Sequence, residues 1–225
     1  ETLVLHAGRS IYVNENITSS NPTGKLSLKY GMGFPENFIQ HDYFVNSPIN
    51  LTTGTNFFTT KGFDGLEESY AVLTELGLSG SVTGTDLQGI SGNLSGNFAV
   101  GSDINASETR TWNDGSGFSP INSFAGKLEG LGHVINDIYS RTNGRIGLFA
   151  STSGALISHL GLENLDLNTT SKWAGGISGY ASNYTTIKRC FTTGKVYGDE
   201  WVGGIYGYAH GGNILSSYSL CEIKG

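Results

Sequence analysis

The stretch WAGGISGYA, Trp173–Ala181, returns as WVGGIYGYA, Trp201–Ala209, changed only where Ala174 becomes Val202 and Ser178 becomes Tyr206. Three glycines this close could cradle a phosphate, but that use needs Gly-Lys-Ser/Thr opening a helix. After Gly179 the chain continues Tyr-Ala-Ser-Asn-Tyr, without lysine or helical pattern. The residues downstream of each copy explain the phrase better. The two continuations, SNYTTIKRCFTTGKVYG and HGGNILSSYSLCEIKG, keep their apolar positions in step once the register slides by one residue. Ile187 then meets Ile214, Phe191 meets Tyr218, Val196 meets Ile223 and Gly198 meets Gly225. Apolar positions that repeat while polar ones drift are the mark of coils stacked about 4.8 Å apart, whose inward side chains must agree from one coil to the next. Ile177 and Ile205 are expected to point inward, Ser178 and Tyr206 outward, and Gly179 and Gly207 to occupy corners that a side chain would crowd.

Earlier copies are visible upstream. GRIGLFASTSGALISHLGLENLDL places Ile157 and Leu160 where Ile187 and Cys190 stand later, with Ala150 in the place of Gly179. FAGKLEGLGHVINDIYS places Ile135 and Ile138 against Ile157 and Leu160. Repeats of this length built on short strands indicate a β-solenoid, with repeat coils over residues 124–225. TLVLHA, SIYVNENI and KLSLKY read as further short strands. Residues 31–90 read as an irregular insertion, with a short helix near 67–77 carrying Tyr70, Leu73 and Leu76 on one face and a second helical turn around 85–90. The whole chain, 1–225, is expected to be one solenoid segment with loop and short-helix insertions, cut from something longer.

Composition agrees with that class. Charged residues make up 14% and there are 34 glycines in 225 residues, against about 25% charged and about 7% glycine in average soluble domains. A net charge of -6 and the lack of a basic patch argue against nucleic acid as partner. No apolar run is long enough to span a membrane. The five histidines, His6, His41, His133, His159 and His210, share no catalytic or metal-ligand spacing, and His133 reads as structural. The paired acids Glu67-Glu68 and Asp199-Glu200 read as solvated charges rather than a glycosidase pair. No cofactor motif is present. By the repeat register Cys190 stacks on Ser217 and Cys221 on Gly194, too far apart for a disulfide, so two free and mostly buried thiols are expected.

Outward aromatics are the candidate binding residues. Trp173, Tyr180, Trp201, Tyr206 and Tyr208 could form a ladder that stacks on sugar rings, although stacked aromatics also stabilise neighbouring strands without any ligand. Six Asn-x-Ser/Thr sequons, at Asn16, Asn50, Asn93, Asn105, Asn168 and Asn183, are candidate glycosylation sites.

The phrases VGGIYGYA and GGISGYASNYTTIKRCFTTGKVYG resemble the GLUG repeat. SGNLSGNFAVGSDINAS, followed by TWNDGSGFSPI and FAGKLEGLGHVINDI, resembles filamentous-haemagglutinin-type adhesins exported by two-partner secretion, and SIYVNENITSSNPTGKLSLKY is similar to the coils of those exoproteins. The resemblance implies a right-handed parallel β-helix, secreted to the cell surface of a Gram-negative bacterium through an outer-membrane transporter. Its implied role is attachment to a host-cell receptor, a glycan or another surface, without catalysis or cofactor. A carbohydrate-active β-helix enzyme, and haem or haemopexin capture by an exoprotein of the same secretion class, stand as the alternatives.

Overall fold

A computed structural model describes residues 1–38 and 40–225. The chain is a parallel β-solenoid of about 8 turns. Its longest sheet carries, in order, Thr2–His6, Lys25–Tyr30, Gly54–Lys61, Glu68–Leu73, Asn97–Val100, Lys127–Glu129, Leu156–Ser158 and Ser178–Lys188, with Tyr206–Leu215 paired to the last of these. A second sheet stacks Ile104–Asn105, Val134–Asn136, Gly161–Thr169, Phe191–Tyr197 and Tyr218–Lys224. Trp173–Gly175 and Trp201–Gly203 form a short third ladder. Coil length varies from 23 residues, Thr2 to Lys25, to 32 residues, Ile17 to Ile49.

The register read from the doubled phrase is the one observed. Trp173 pairs with Trp201, Tyr180 with Tyr208, Ile187 with Ile214, Phe191 with Tyr218 and Val196 with Ile223. One coil earlier, Ile157 pairs with Ile187 as expected, but Ile135 pairs with Leu162 and Ile157 with Leu128. Ile135 and Ile157 therefore belong to two different faces of the solenoid and are not equivalent positions. Both faces carry isoleucines at similar local spacing, and only the strand pairing tells them apart.

Ser178 also departs from expectation. Its side chain is 0% exposed, lies 3.1 Å from the Thr152 hydroxyl and donates to the Tyr180 carbonyl. The backbone amides of Ile177 and Ser178 both donate to the Ile205 carbonyl. Two residues facing one acceptor reset the in-out alternation as a β-bulge does, so both side chains turn inward. Tyr206, at the equivalent place, is half-buried, and its hydroxyl donates to the Thr185 carbonyl.

Within the expected irregular insertion over 31–90, residues 43–61 instead form regular stacked strands, while 74–87 carry no strand. Tyr43–Val45 lies on Ile11–Val13, Ile49–Asn50 on Ile17–Thr18, and Gly54–Lys61 on Lys25–Tyr30, all parallel, which makes a regular second coil. Outward pairs confirm the stacking: Tyr12 and Phe44 stack at 4.7 Å and the Asn46 amide donates to Asn14 at 2.7 Å. The helix expected near 67–77 is the strand Glu68–Leu73, antiparallel to Gly54–Lys61. Tyr70 and Val72 project into one apolar cluster and Leu73 into the other. A strand buried on both faces reads as a continuous apolar run, which periodicity alone does not separate from a helix. The second helical turn is a 3-10 helix at Gln88–Gly92.

That hairpin divides the solenoid. Next in the sheet, Asn97–Val100 sends Ala99 to the cluster of the N-terminal coils and Phe98 and Val100 to the other cluster. From here the strands of the shared sheet run the opposite way and the core lies on its opposite face. The second N-terminal coil then lies across successive C-terminal coils, its Leu51 amide donating to the Gly101 carbonyl and its Ile49 amide to the Leu131 carbonyl.

Polar links seal the blocks. The Lys188 ammonium and the Arg189 guanidinium each lie 2.8 Å from Asp42 Oδ2. The Tyr43 hydroxyl donates to Glu129 Oε2 at 2.7 Å. His133 sits 3.0 Å from the Ile49 carbonyl and 3.0 Å from Asp103, in keeping with the structural role read for it. Glu129 is buried and also accepts from the Leu131 amide, the Ser158 hydroxyl and His159 Nδ1.

In the last two coils Gly194 pairs with Cys221 and the Cys190 amide donates to Ser217, the register expected for two free thiols. Burial pushes the Cys190 thiol up to about 12, whereas Cys221 is only partly covered. A disulfide-exchange reagent at pH 8 is expected to modify Cys221 readily and Cys190 only after denaturation. Equal rates for both in the native protein would contradict this packing.

Candidate functional site

The last two coils leave the short third face through a tight corner and enter the long sheet. The corner is tight because backbone meets backbone: a Cβ on Gly175 would strike the Ser178 carbonyl, and one on Gly176 the Gly204 carbonyl. Side chains just before and after the corner are thereby brought side by side on the outer surface. Before it stand Trp173 and Trp201; after it stand Tyr180 and Tyr208. Four of the five predicted aromatics therefore converge, while Tyr206 turns away to the Thr185 carbonyl.

The group is a column, not a flat ladder. Tyr180 and Tyr208 stack with centroids 5.7 Å apart and 11° between planes. Their faces are turned along the solenoid axis towards each other, so the surface sees mainly ring edges. The indoles lean across them: Trp173 lies 5.8 Å from Tyr180 at 56°, and Trp201 lies 5.1 Å from Tyr208 at 78°. Trp201 is 47% exposed and offers the most accessible apolar face.

Sequence reasoning passed over one member. Ile146 bridges to Ala174, so Arg145 occupies, one coil earlier, the place of Trp173 and Trp201. Its guanidinium carbon sits 4.7 Å from the Trp173 ring centre and 4.8 Å from that of Tyr180. It caps the column by cation–π contact, a geometry worth about 0.5–1 kcal/mol at exposed sites. An ungapped alignment that sets Ala150 on Gly179 puts Arg145 opposite Ala174; the one-residue shift between Ile146–Ala174 and Phe149–Ser178 hides its place over the tryptophans. Beside it runs a groove of about 490 Å³ whose lining includes Asn122, Thr142, Arg145, Ser171 and Trp173.

Of the sequons, Asn16, Asn93, Asn105, Asn168 and Asn183 are exposed, and Asn50 is half-buried. The Asn50 amide donates to Thr18 and that of Asn183 to Ser153, so both are engaged along the stack. Among the paired acids, Glu68 bonds Lys127 and Glu200 bonds Lys172.

A larger cleft of about 820 Å³ lies under the loop of residues 74–86, with Glu75, Asp86, Asp103 and Glu108 in its wall. Its most buried acid is occupied internally: Asp86 accepts from the Ser81 and Thr83 hydroxyls and the Gly89 amide. Among the described residues no three His, Cys, Asp or Glu side chains form a metal-holding group.

Two likenesses bear on this architecture. The family described as M26 IgA1-specific Metallo-endopeptidase N-terminal region matches residues 84–194, just under half the chain, and a match to that region does not establish peptidase activity. Halomucin of Haloquadratum walsbyi is 34% identical over 115 residues, covering 45% of this chain. The chain spans about 1% of the length of that relative. No solved structure matches. No helix is long and apolar enough to cross a membrane.

Proposed function

We propose that the chain is a structural and binding segment of a large secreted surface adhesin, presenting the aromatic column to glycans on a host cell or another surface. The observation that carries this reading is the convergence of Trp173, Trp201, Tyr180 and Tyr208 outside the core, beside an open polar groove. The Trp173 indole in the wall of the groove suits the apolar face of a pyranose, and hydroxyl and amide side chains suit its rim. Export through an outer-membrane transporter of a Gram-negative cell belongs to the same reading. Sequence likeness to halomucin, a mucin by name, supports a place at the cell surface.

The test is a glycan array with the purified chain beside Trp201→Ala and the double variant Tyr180→Ala/Tyr208→Ala. Both are expected to lose binding about tenfold or more, which corresponds to about 1.4 kcal/mol. Trp201→Ala should leave the melting temperature almost unchanged, because its indole is half in solvent. Binding that survives both changes would remove the column from the function.

A further inference from the structure

We propose that the glycan held by this site carries a carboxylate, and that Arg145 is the residue that reads it; the inference rests on the glycan reading above. Stacking occupies the flat faces of a guanidinium, whereas its five N–H donors lie in the plane and remain free to form a fork. The chain has three other arginines packed on aromatic rings, and each has that fork engaged. Arg110 and Arg141 lie against Tyr139 and both reach Asp166, at 3.3 and 2.6 Å. Arg189 lies on Phe44 and reaches Asp42 at 2.8 Å. Arg145 lies on Trp173 and Tyr180, and among the described residues it is paired with no carboxylate.

The unpaired fork is held in the wall of the 490 Å³ groove, whose lining contains no acidic residue. Lys172, between the groove residues Ser171 and Trp173 in sequence, is bound to Glu200 at 2.7 Å. A planar carboxylate fits such a fork in two parallel hydrogen bonds. Asn122, Thr142 and Ser171 supply neutral partners for hydroxyls, and Trp173 supplies an apolar wall. Carboxylate, hydroxyls and a ring face together describe a uronic or sialic acid unit better than an acidic peptide.

Isothermal titration of the whole chain with oligogalacturonate, sialyllactose, a neutral malto-oligosaccharide and poly-glutamate tests this. At least one acidic sugar is expected to bind about tenfold or more tighter than the neutral one, with poly-glutamate weak. Arg145→Gln should reduce the acidic sugar to the neutral level, and Arg145→Lys should keep part of the preference while losing the fork. Added salt should weaken only the acidic sugar. Equal affinity for neutral and acidic sugars, an unchanged preference in Arg145→Gln, or poly-glutamate binding as well as the sugars would overturn the proposal. If the neutral sugar binds through Trp201 without any preference, only the carboxylate inference fails; if no sugar binds at all, the glycan reading fails with it. Should Arg145→Gln unfold, the Arg145→Lys comparison carries the result.

Discussion

Alanine at Gly176 is expected to separate the last two coils and lower the melting temperature by about 10 °C. The added Cβ would meet the Gly204 carbonyl of the next coil, with Leu165 and Thr192 side chains at 3.1 and 3.2 Å behind it. Backbone cannot move aside as a flexible side chain can, because each coil is bonded to its neighbours by the ladder. A clash of this kind belongs to the severe class of about 4 kcal/mol or more, and a chain of this length shifts by about 2–4 °C per kcal/mol. Gly211→Ala is the control. Gly211 sits at φ +73 with nothing closer than 3.9 Å to an added Cβ, so only the left-handed backbone cost of about 1–2 kcal/mol applies. Calorimetry of the two variants compares them directly; Gly176→Ala melting as high as Gly211→Ala would mean the coils are not in van der Waals contact there.

The second large effect is at Glu129. This carboxylate is buried between the two solenoid blocks and accepts from Tyr43, Leu131, Ser158 and His159. Glu129→Ala strands those donors in the interior, and breaking a buried pair by removing one partner costs about 3–5 kcal/mol. Burial by itself would raise its pKa, but the charge of His159 and the hydrogen bonds from His159, Ser158 and Tyr43 outweigh it and hold the carboxyl below its usual range. With the folded pKa below the unfolded one, the unfolded chain binds more protons. The contribution is therefore complete above the unfolded value, about 4.3, and is lost as pH falls through the folded value. Urea unfolding at pH 7 and at steps below pH 4.5 should show the parent and Glu129→Gln far apart at neutral pH and converging in acid. A constant gap across that range would remove the charge argument and leave only packing.

Repeat architecture makes part of this protein legible without coordinates. Wherever the same apolar residue must stack on itself, as Ile187 does on Ile214, the sequence repeats and the register follows. That is why the cysteine positions, the Trp173–Trp201 and Tyr180–Tyr208 pairs and the β-solenoid class could be read directly. Legibility fails where the stacking partner is unlike. Arg145 stands in a tryptophan position, Leu128 pairs with Ile157, and Tyr43–Val45 covers Ile11–Val13 without any shared phrase. Variable coil length hides these pairs, because corners and loops absorb the extra residues while the strands stay aligned.

By itself, then, the sequence determined the stacked-coil class, the register of the last two coils and the placing of four aromatics on one face, because those depend on like residues meeting like at a fixed separation. Tertiary structure alone decided that the strands reverse at Glu68–Leu73 and that two cores share one sheet. It also decided that Ser178 turns inward at a doubled hydrogen bond, and that a guanidinium closes the aromatic column. These depend on contacts between unlike residues far apart in the chain, such as Tyr43 with Glu129 and Asp42 with Lys188, for which local pattern carries no signal.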